Sequence, residues 1–240
     1  MTFSSTGFHL AKGLFADRRE HLHKWATEIA ALPPTEVWHY SEQSKLDNSR
    51  KILSRTEKFF GVHDGISSLL LSPRLQDLLG DLMGEEPVLF KEKLNYKYKG
   101  NAGFEPHQDI QAGWQSYTEY FVSVGIAVDP QLLSGGCLEF IQDNFGQRLV
   151  GELWSPLKPG QIDFGRFEPQ PCEPGDVIVF DGYIPHRSMP NMAADSQRIF
   201  YLSFNRRSAG NFREKYYDDK FKGFPPDIYQ TDGSKYEYKV

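Results

Sequence analysis

A histidine and an aspartate stand two residues apart in the segment Phe104-Glu105-Pro106-His107-Gln108-Asp109. Residues i and i+2 of an extended strand project to the same face, so His107 and Asp109 can bind one metal ion together. With a later histidine they would form the two-histidine, one-carboxylate face that non-haem Fe(II) oxygenases use. Seven histidines and 32 acidic residues in 240 make about one such pair expected by chance. The pair therefore indicates a metal site only if the rest of the sequence supports one.

The third metal ligand that we select is His186. It follows the segment Gly175–Pro185, in which a tight turn, an apolar strand and a loop deliver the histidine at a strand end. Three protein ligands leave about three octahedral positions open, which suits a metal that must bind a chelating cosubstrate and O₂. The set is typical of an Fe(II) oxygenase, although a zinc hydrolase also keeps a position open.

Arg198 stands twelve positions after His186, at the start of a predicted strand. On that strand it shares a face with Phe200, Leu202 and Phe204. A guanidinium against an apolar interior needs a partner, because burying an unpaired charge is costly. A bidentate carboxylate ligand would supply that partner. An internal Asp or Glu is the alternative that stays open.

Two amphipathic helices are predicted in the N-terminal third of the chain. Apolar side chains recur at helical spacing in the first, which ends before Pro33-Pro34: Phe15, Leu22, Trp25 and Ile29. The second is predicted to begin at Ser72-Pro73 and to end at Gly84, and its apolar stripe is Leu75, Leu78, Leu79 and Leu82. Both stripes are typical of helices that pack against a core.

From about residue 88 the hydrophobic period changes to two, which indicates strands. Further strands are predicted near residues 120–128, 137–141, 176–180 and 198–205, rich in β-branched and aromatic residues. Short strands without intervening helices indicate an antiparallel sandwich or jelly roll. The long connection over residues 142–175 is predicted to be a lid, since long loops in compact domains are usually functional.

The bulk composition limits the class of protein. A chain of 240 residues fits one domain over residues 1–240. Its net charge of −5 gives no general attraction to nucleic acid or to an anionic membrane. With no membrane-length apolar run and no signal-peptide pattern, a cytoplasmic protein is the prediction. Monomer and homodimer both stay open.

These residues resemble the phytanoyl-CoA dioxygenase family of Fe(II)- and 2-oxoglutarate-dependent oxygenases. The resemblance covers roughly the core, residues 88–206, and rests on His107-Gln108-Asp109, Ser134–Glu139, the run from Gly175 to Ser188, and Arg198. It implies a mainly β fold, the cupin-like double-stranded β-helix or jelly roll, with the N-terminal helices packed on one sheet. Residues 207–240 would be a C-terminal extension.

The resemblance also implies roles for single residues. His107, Asp109 and His186 would bind iron. The cosubstrate 2-oxoglutarate would be bound by Arg198, which pairs with the distal carboxylate of the cosubstrate, by Ser188 beside Arg198, and by Lys93 or Asn95 from the first long strand. Relatives that halogenate replace the carboxylate ligand with a small residue, so Asp109 favours hydroxylation.

The implied reaction hydroxylates an unactivated C–H bond with Fe(II), 2-oxoglutarate and O₂, and releases succinate and CO₂. The residues predicted to contact the substrate are Tyr98, Gln111 and Trp114 near the metal motif, and the cationic Arg55. Lysines on the strand from residue 88 favour a small anionic or zwitterionic substrate. The segments 213–217 and 223–227 are similar to bacterial members that hydroxylate aminoalkylphosphonates, so a 2-aminoethylphosphonate-like substrate is predicted.

Two other functions stay open at this point. A jelly-roll hydrolase or isomerase would use zinc or manganese at the same histidines. A non-catalytic carbohydrate-binding jelly roll would keep the histidines for structural reasons. Neither of them needs the anion-binding residues Arg198 and Ser188 at their spacing from His186.

Overall fold

The computed structural model describes residues 3–143, 145–192 and 196–231. Its α-helices are α1 (Phe3–Thr6), α2 (Arg19–Ala30), α3 (Asp64–Leu70), α4 (Pro73–Met83) and α5 (Arg213–Gly223). Its strands are β1 (Phe8–Ala11), β2 (Trp38–Gln43), β3 (Lys51–Glu57), β4 (Pro87–Asn95), β5 (Phe104–His107), β6 (Val122–Ala127), β7 (Leu138–Phe140), β8 (Glu168–Pro169), β9 (Val177–Asp181), β10 (His186–Ser188) and β11 (Ile199–Arg206). None of the helices in these ranges combines the length and hydropathy needed to cross a membrane.

The strands form two antiparallel sheets. The larger has the order β1-β9-β6-β11-β4-β3-β2, and the smaller has the order β5-β10-β7-β8. In the centre of both sheets, neighbours such as β9 and β6, β11 and β4, or β5 and β10 are distant in sequence, as the crossing connections of a jelly roll require, whereas β2, β3 and β4 follow one another at one edge. The predicted strands near residues 120–128, 137–141, 176–180 and 198–205 are all present. The predicted jelly roll is confirmed.

The N-terminal helices cover the outer face of the larger sheet, as predicted. Apolar residues at helical spacing point from α2 and α4 onto β6, β9 and β11, and they include Leu22, Ala26, Ile29, Leu75, Leu79 and Met83. Pro73 opens α4, and Gly84 ends it in the left-handed conformation with φ of +70°. The helices therefore leave the opposite face of the larger sheet free to face the smaller one.

The structure corrects the prediction for Arg198. Side chains alternate along β11, so Arg198 lies on the helix-covered face with Phe200, Leu202 and Phe204. There its guanidinium donates two hydrogen bonds of 2.8 Å to the carboxylate of Asp129. Both side chains are about nine-tenths buried. The internal carboxylate, and not a ligand, is the partner of this arginine.

The Arg198–Asp129 pair gives a test of stability. We expect Asp129→Ala to lower the free energy of unfolding by about 3–5 kcal/mol, because it leaves a buried guanidinium without its counter-ion. The matched control is Glu86→Ala, which breaks the exposed pair with Arg207 and should change stability by less than about 1 kcal/mol. Urea unfolding measures both variants. Equal losses would show that the buried pair has no special structural role.

Candidate metal centre

Pairing between β5 and β10 brings the predicted metal ligands together. His107 is the residue directly opposite His186 in this antiparallel pair. Asp109 begins the short 3₁₀ turn that follows β5. Its Oδ1 lies 3.9 Å from Nε2 of His107 and 3.8 Å from Nε2 of His186. All three donor atoms lie within 4.8 Å of one another, so one ion can contact all of them.

Backbone carbonyls fix the orientation of both imidazoles. Nδ1 of His107 lies 2.6 Å from the carbonyl oxygen of Glu105, and Nδ1 of His186 lies 3.0 Å from that of Ile184. A carbonyl oxygen can only accept, so each Nδ1 carries the proton and each Nε2 presents its lone pair to Asp109. This arrangement of a hydrogen-bonded Nδ1 and a free Nε2 is the one that metal-binding histidines adopt.

The charge states of the three side chains also suit a metal ion. Burial lowers the pKa of His107 and of His186, and both rings are neutral at physiological pH. Burial alone would raise the pKa of Asp109, but the nearby imidazoles and Lys91 lower it. The hydroxyl of Ser123 donates to the second oxygen of this carboxylate. Two neutral imidazoles and one carboxylate are ready to bind a divalent metal without losing protons.

The inner face of β4 forms one wall of the metal compartment. The compartment has a volume of about 20 Å³, room for about one water molecule, and its lining includes Lys91, Lys93, Asn95, Phe104, Ser123 and Tyr201. Strand alternation directs Lys91, Lys93 and Asn95 to this face together. The ammonium of Lys93 lies 5.0 Å from the Phe104 ring centre and 5.2 Å from that of Tyr201.

A second compartment adjoins the first and shares Asn95, Phe104, Leu138 and Tyr201 with it. Ser188 and Lys97 also line this compartment, and neither lines the metal compartment. Ser188 accepts a hydrogen bond from the backbone N–H of Phe104. Burial lowers the pKa of Lys97 to about 8, and its ammonium donates to the carbonyl of Gly136. The predicted cosubstrate residues Lys93, Asn95 and Ser188 therefore follow one another, in that order, away from the metal.

The predicted substrate residues do not line the metal compartment. Tyr98 stacks on Tyr96 at 5.4 Å and packs beneath the helices. Arg55 bonds to Glu57 at 2.8 Å. Trp114 is buried and lines a separate cavity of about 330 Å³, whose other walls include Tyr117, Trp154, Tyr216, Lys220 and Phe224. Of the predicted substrate residues, only Trp114 lines a cavity large enough for a small-molecule ligand.

Two glutamines in the metal segment hold the loop at residues 148–155, a contact that sequence reasoning missed. Gln108 donates to the carbonyls of Arg148 and Tyr183 and accepts from the N–H of Val150. Gln111, predicted to contact substrate, instead donates to the carbonyls of Glu152 and Ser155, 2.7 Å each. Both glutamines are fully buried. Metal ligands and loop contacts therefore alternate along one short segment.

The chain has clear relatives. Residues 3–199 match the sequence profile of the phytanoyl-CoA dioxygenase (PhyH) family. A methylphosphonate hydroxylase of Gimesia maris is 35% identical over 226 residues, which cover 92% of this chain and 85% of that protein. A 2-aminoethylphosphonate dioxygenase of an uncultured bacterium is 32% identical over 234 residues, which cover 92% of this chain and 82% of that protein.

Solved structures share the architecture. EctD from S. alaskensis, in a crystal structure with 2-oxoglutarate and 5-hydroxyectoine, matches this chain with a TM-score of 0.71 at 21% identity. The match covers 87% of this chain and 75% of EctD. The similarity confirms the double-stranded β-helix fold.

Gln111→Leu tests the contact between the metal segment and the loop. We expect amide hydrogen exchange at residues 148–157 to accelerate about tenfold or more, since each lost hydrogen bond is worth about 1 kcal/mol. Gln115→Leu is the matched control, because this exposed glutamine bonds to Tyr183 and not to the loop. Unchanged exchange in Gln111→Leu would show that other contacts hold the loop.

Proposed function

Since this chain belongs to the phytanoyl-CoA dioxygenase family, we propose that it uses Fe(II), 2-oxoglutarate and O₂ to hydroxylate a C–H bond of a small phosphonate. The observation that carries the proposal is the convergence of His107, Asp109 and His186, in which the Nδ1 of each ring bonds to a backbone carbonyl and leaves Nε2 free to bind a metal ion. A relationship to oxygenases disfavours the metal hydrolase or isomerase and the non-catalytic carbohydrate-binding alternatives.

The residues present fit the iron site of this family. His107, Asp109 and His186 would hold Fe(II), and their arrangement leaves the side toward β4 for other ligands. The carbonyls of Glu105 and Ile184 keep the imidazoles oriented, and Ser123 keeps the carboxylate oriented. Bound iron and 2-oxoglutarate supply the activation of O₂, with succinate and CO₂ as co-products.

The cosubstrate is assigned to the side of the site that leads to the second compartment. Lys93 provides a cation beside the metal, and Asn95 and Ser188 continue the polar wall. The Oδ1 atom of Asn95 is buried without a hydrogen bond among the described residues, so the amide is available to a ligand. Arg198 has no part in this assignment, because it pairs with Asp129 on the opposite face.

The substrate class follows from the relatives and from the charge of the site. Two relatives that each share more than 30% identity with this chain are named for phosphonate substrates. Lys91 and Lys93 place two cations beside the metal ligands. Cationic groups in a nearly dry compartment favour an anionic substrate. We therefore propose an alkylphosphonate, with 2-aminoethylphosphonate as the leading member.

Anaerobic titration tests the metal and cosubstrate assignment. Addition of Fe(II) and then 2-oxoglutarate is expected to give the visible charge-transfer band of a chelated keto acid. Asp109→Ala removes the one carboxylate ligand, so we expect at least about tenfold weaker iron binding and no band. Asp77→Ala, on the exposed face of α4, is the control and should behave as the wild type. Iron-loaded wild-type protein without the band would refute the assignment.

Turnover tests the substrate class. We expect methylphosphonate or 2-aminoethylphosphonate to accelerate 2-oxoglutarate consumption by wild-type protein, and mass spectrometry to find one added oxygen atom in the phosphonate. Carboxylate analogues of equal length, acetate and β-alanine, are the comparison substrates. Consumption that no phosphonate accelerates would remove phosphonates from the proposal and leave the oxygenase class in place.

A further inference from the structure

Two lysine ammonium groups beside the metal ligands, one buried and one partly buried, have no counter-ion in the described parts of the chain. Lys91 is 6% exposed, and Lys93 stands two residues along the same face of β4. Neither Nζ forms a hydrogen bond or an ion pair there. Each instead lies over aromatic rings: Lys91 over Trp114 at 4.1 Å and Tyr216 at 5.8 Å, Lys93 over Phe104 and Tyr201. Buried lysines are nearly always paired, so these two indicate anions that bind from outside.

The neighbouring carboxylates are already committed to other partners. Asp109 is directed at the two imidazoles and accepts from Ser123. Glu57 accepts from the ammonium of Lys220 with both carboxylate oxygens. No described carboxylate therefore remains for Lys91. Its only close contacts of opposite polarity are the faces of two aromatic rings, which hold a cation far less firmly than a carboxylate does.

A β-bulge at Phe90 lies directly before Lys91. Opposite β11, Lys91 pairs with Ser203 but Leu89 pairs with Phe204, so Phe90 is an extra residue in β4. As a result Phe90 and Lys91 both contact the ring of Trp114. Trp114 in turn forms a wall of the 330 Å³ cavity. Lys91 therefore lines the metal compartment and contacts the ring that forms one wall of this cavity.

Lys93 has the opposite surroundings. Its two aromatic neighbours, Phe104 and Tyr201, line both the metal compartment and the second compartment that contains Ser188. One cation thus lies beside the compartment that contains the predicted cosubstrate residue Ser188, and the other contacts the wall of a cavity large enough for a small molecule. The proposed reaction needs two anions at one metal, a keto acid that is always the same and a substrate that must enter and leave.

We infer that Lys91 is the specificity-determining residue that binds the phosphonate head, and that Lys93 binds the carboxylate end of the cosubstrate. This assignment rests on the proposed function, and it gives the phosphonate substrate to Lys91 and 2-oxoglutarate to Lys93. On substrate binding, the ammonium of Lys91 exchanges the Trp114 ring for phosphonate oxygens. A charge-assisted hydrogen bond in a dry site is stronger than the cation–π contact that it replaces.

Lys91→Met and Lys93→Met form a matched pair on one strand face. Calorimetry under anaerobic conditions measures 2-oxoglutarate binding to Fe(II)-loaded protein, and then methylphosphonate binding to that complex. We expect Lys91→Met to weaken methylphosphonate binding by about tenfold or more and to leave 2-oxoglutarate binding within about twofold. Lys93→Met is expected to weaken 2-oxoglutarate binding by the larger factor.

Two further measurements separate a binding role from a structural one. Methylphosphonate should change the tryptophan fluorescence of the wild type, and both Lys91→Met and Trp114→Phe should abolish that change. In the absence of ligands, Lys91→Met should raise the midpoint of thermal unfolding, because it removes a buried charge that has no counter-ion. A lysine with a structural role would lower that midpoint when replaced.

The outcomes distinguish this inference from the proposed function. Wild-type protein that binds 2-oxoglutarate but no phosphonate contradicts the proposed substrate class, and the inference with it. Equal phosphonate binding by wild type and Lys91→Met contradicts the inference alone. Loss of both ligands in both variants would also overturn it, because the two lysines would then form one undivided anion site.

Discussion

The site depends on the antiparallel pairing of β5 with β10. This pairing places His107 directly opposite His186, and in each case the backbone carbonyl two residues earlier in the chain orients the ring through Nδ1. A shift of one residue in register would move one imidazole to the other face of the sheet. The two-residue spacing to Asp109 then completes the donor set. The proposed iron site therefore depends on the register of β5 and β10.

Alternation along β4 and β11 divides the larger sheet into two chemical environments. Leu94, Phe200 and Leu202 face the helices and form the apolar core. Lys93 and Tyr201 face the metal. The same sheet therefore buries a hydrophobic layer on one side and a cationic, polar wall on the other. The free energy gained by burying the apolar layer offsets the free-energy cost of desolvating the lysines.

The sequence was sufficient to predict that His107, Asp109 and His186 converge, because the two-residue spacing is local and His186 follows a recognisable turn and strand. It was also sufficient for the helices over the sheet, since Leu75, Leu79 and Gly84 have local roles. It was insufficient for Arg198, whose orientation depends on which face of β11 the helices cover. Alternation alone grouped this arginine correctly with Phe200 but could not say that the group faces away from the metal. Asp129, its partner, is remote in sequence.

The glutamines of the metal segment have a consequence for how such a protein can diversify. Gln108 and Gln111 contact the loop through its backbone carbonyls and an N–H group, and not through its side chains. Backbone groups are the same for almost every amino acid, so the loop can exchange its side chains without losing its attachment. Trp154, carried by this loop into the wall of the 330 Å³ cavity, lies among those replaceable positions. Single substitutions in this loop can therefore change the wall of the cavity while the metal-binding segment stays the same.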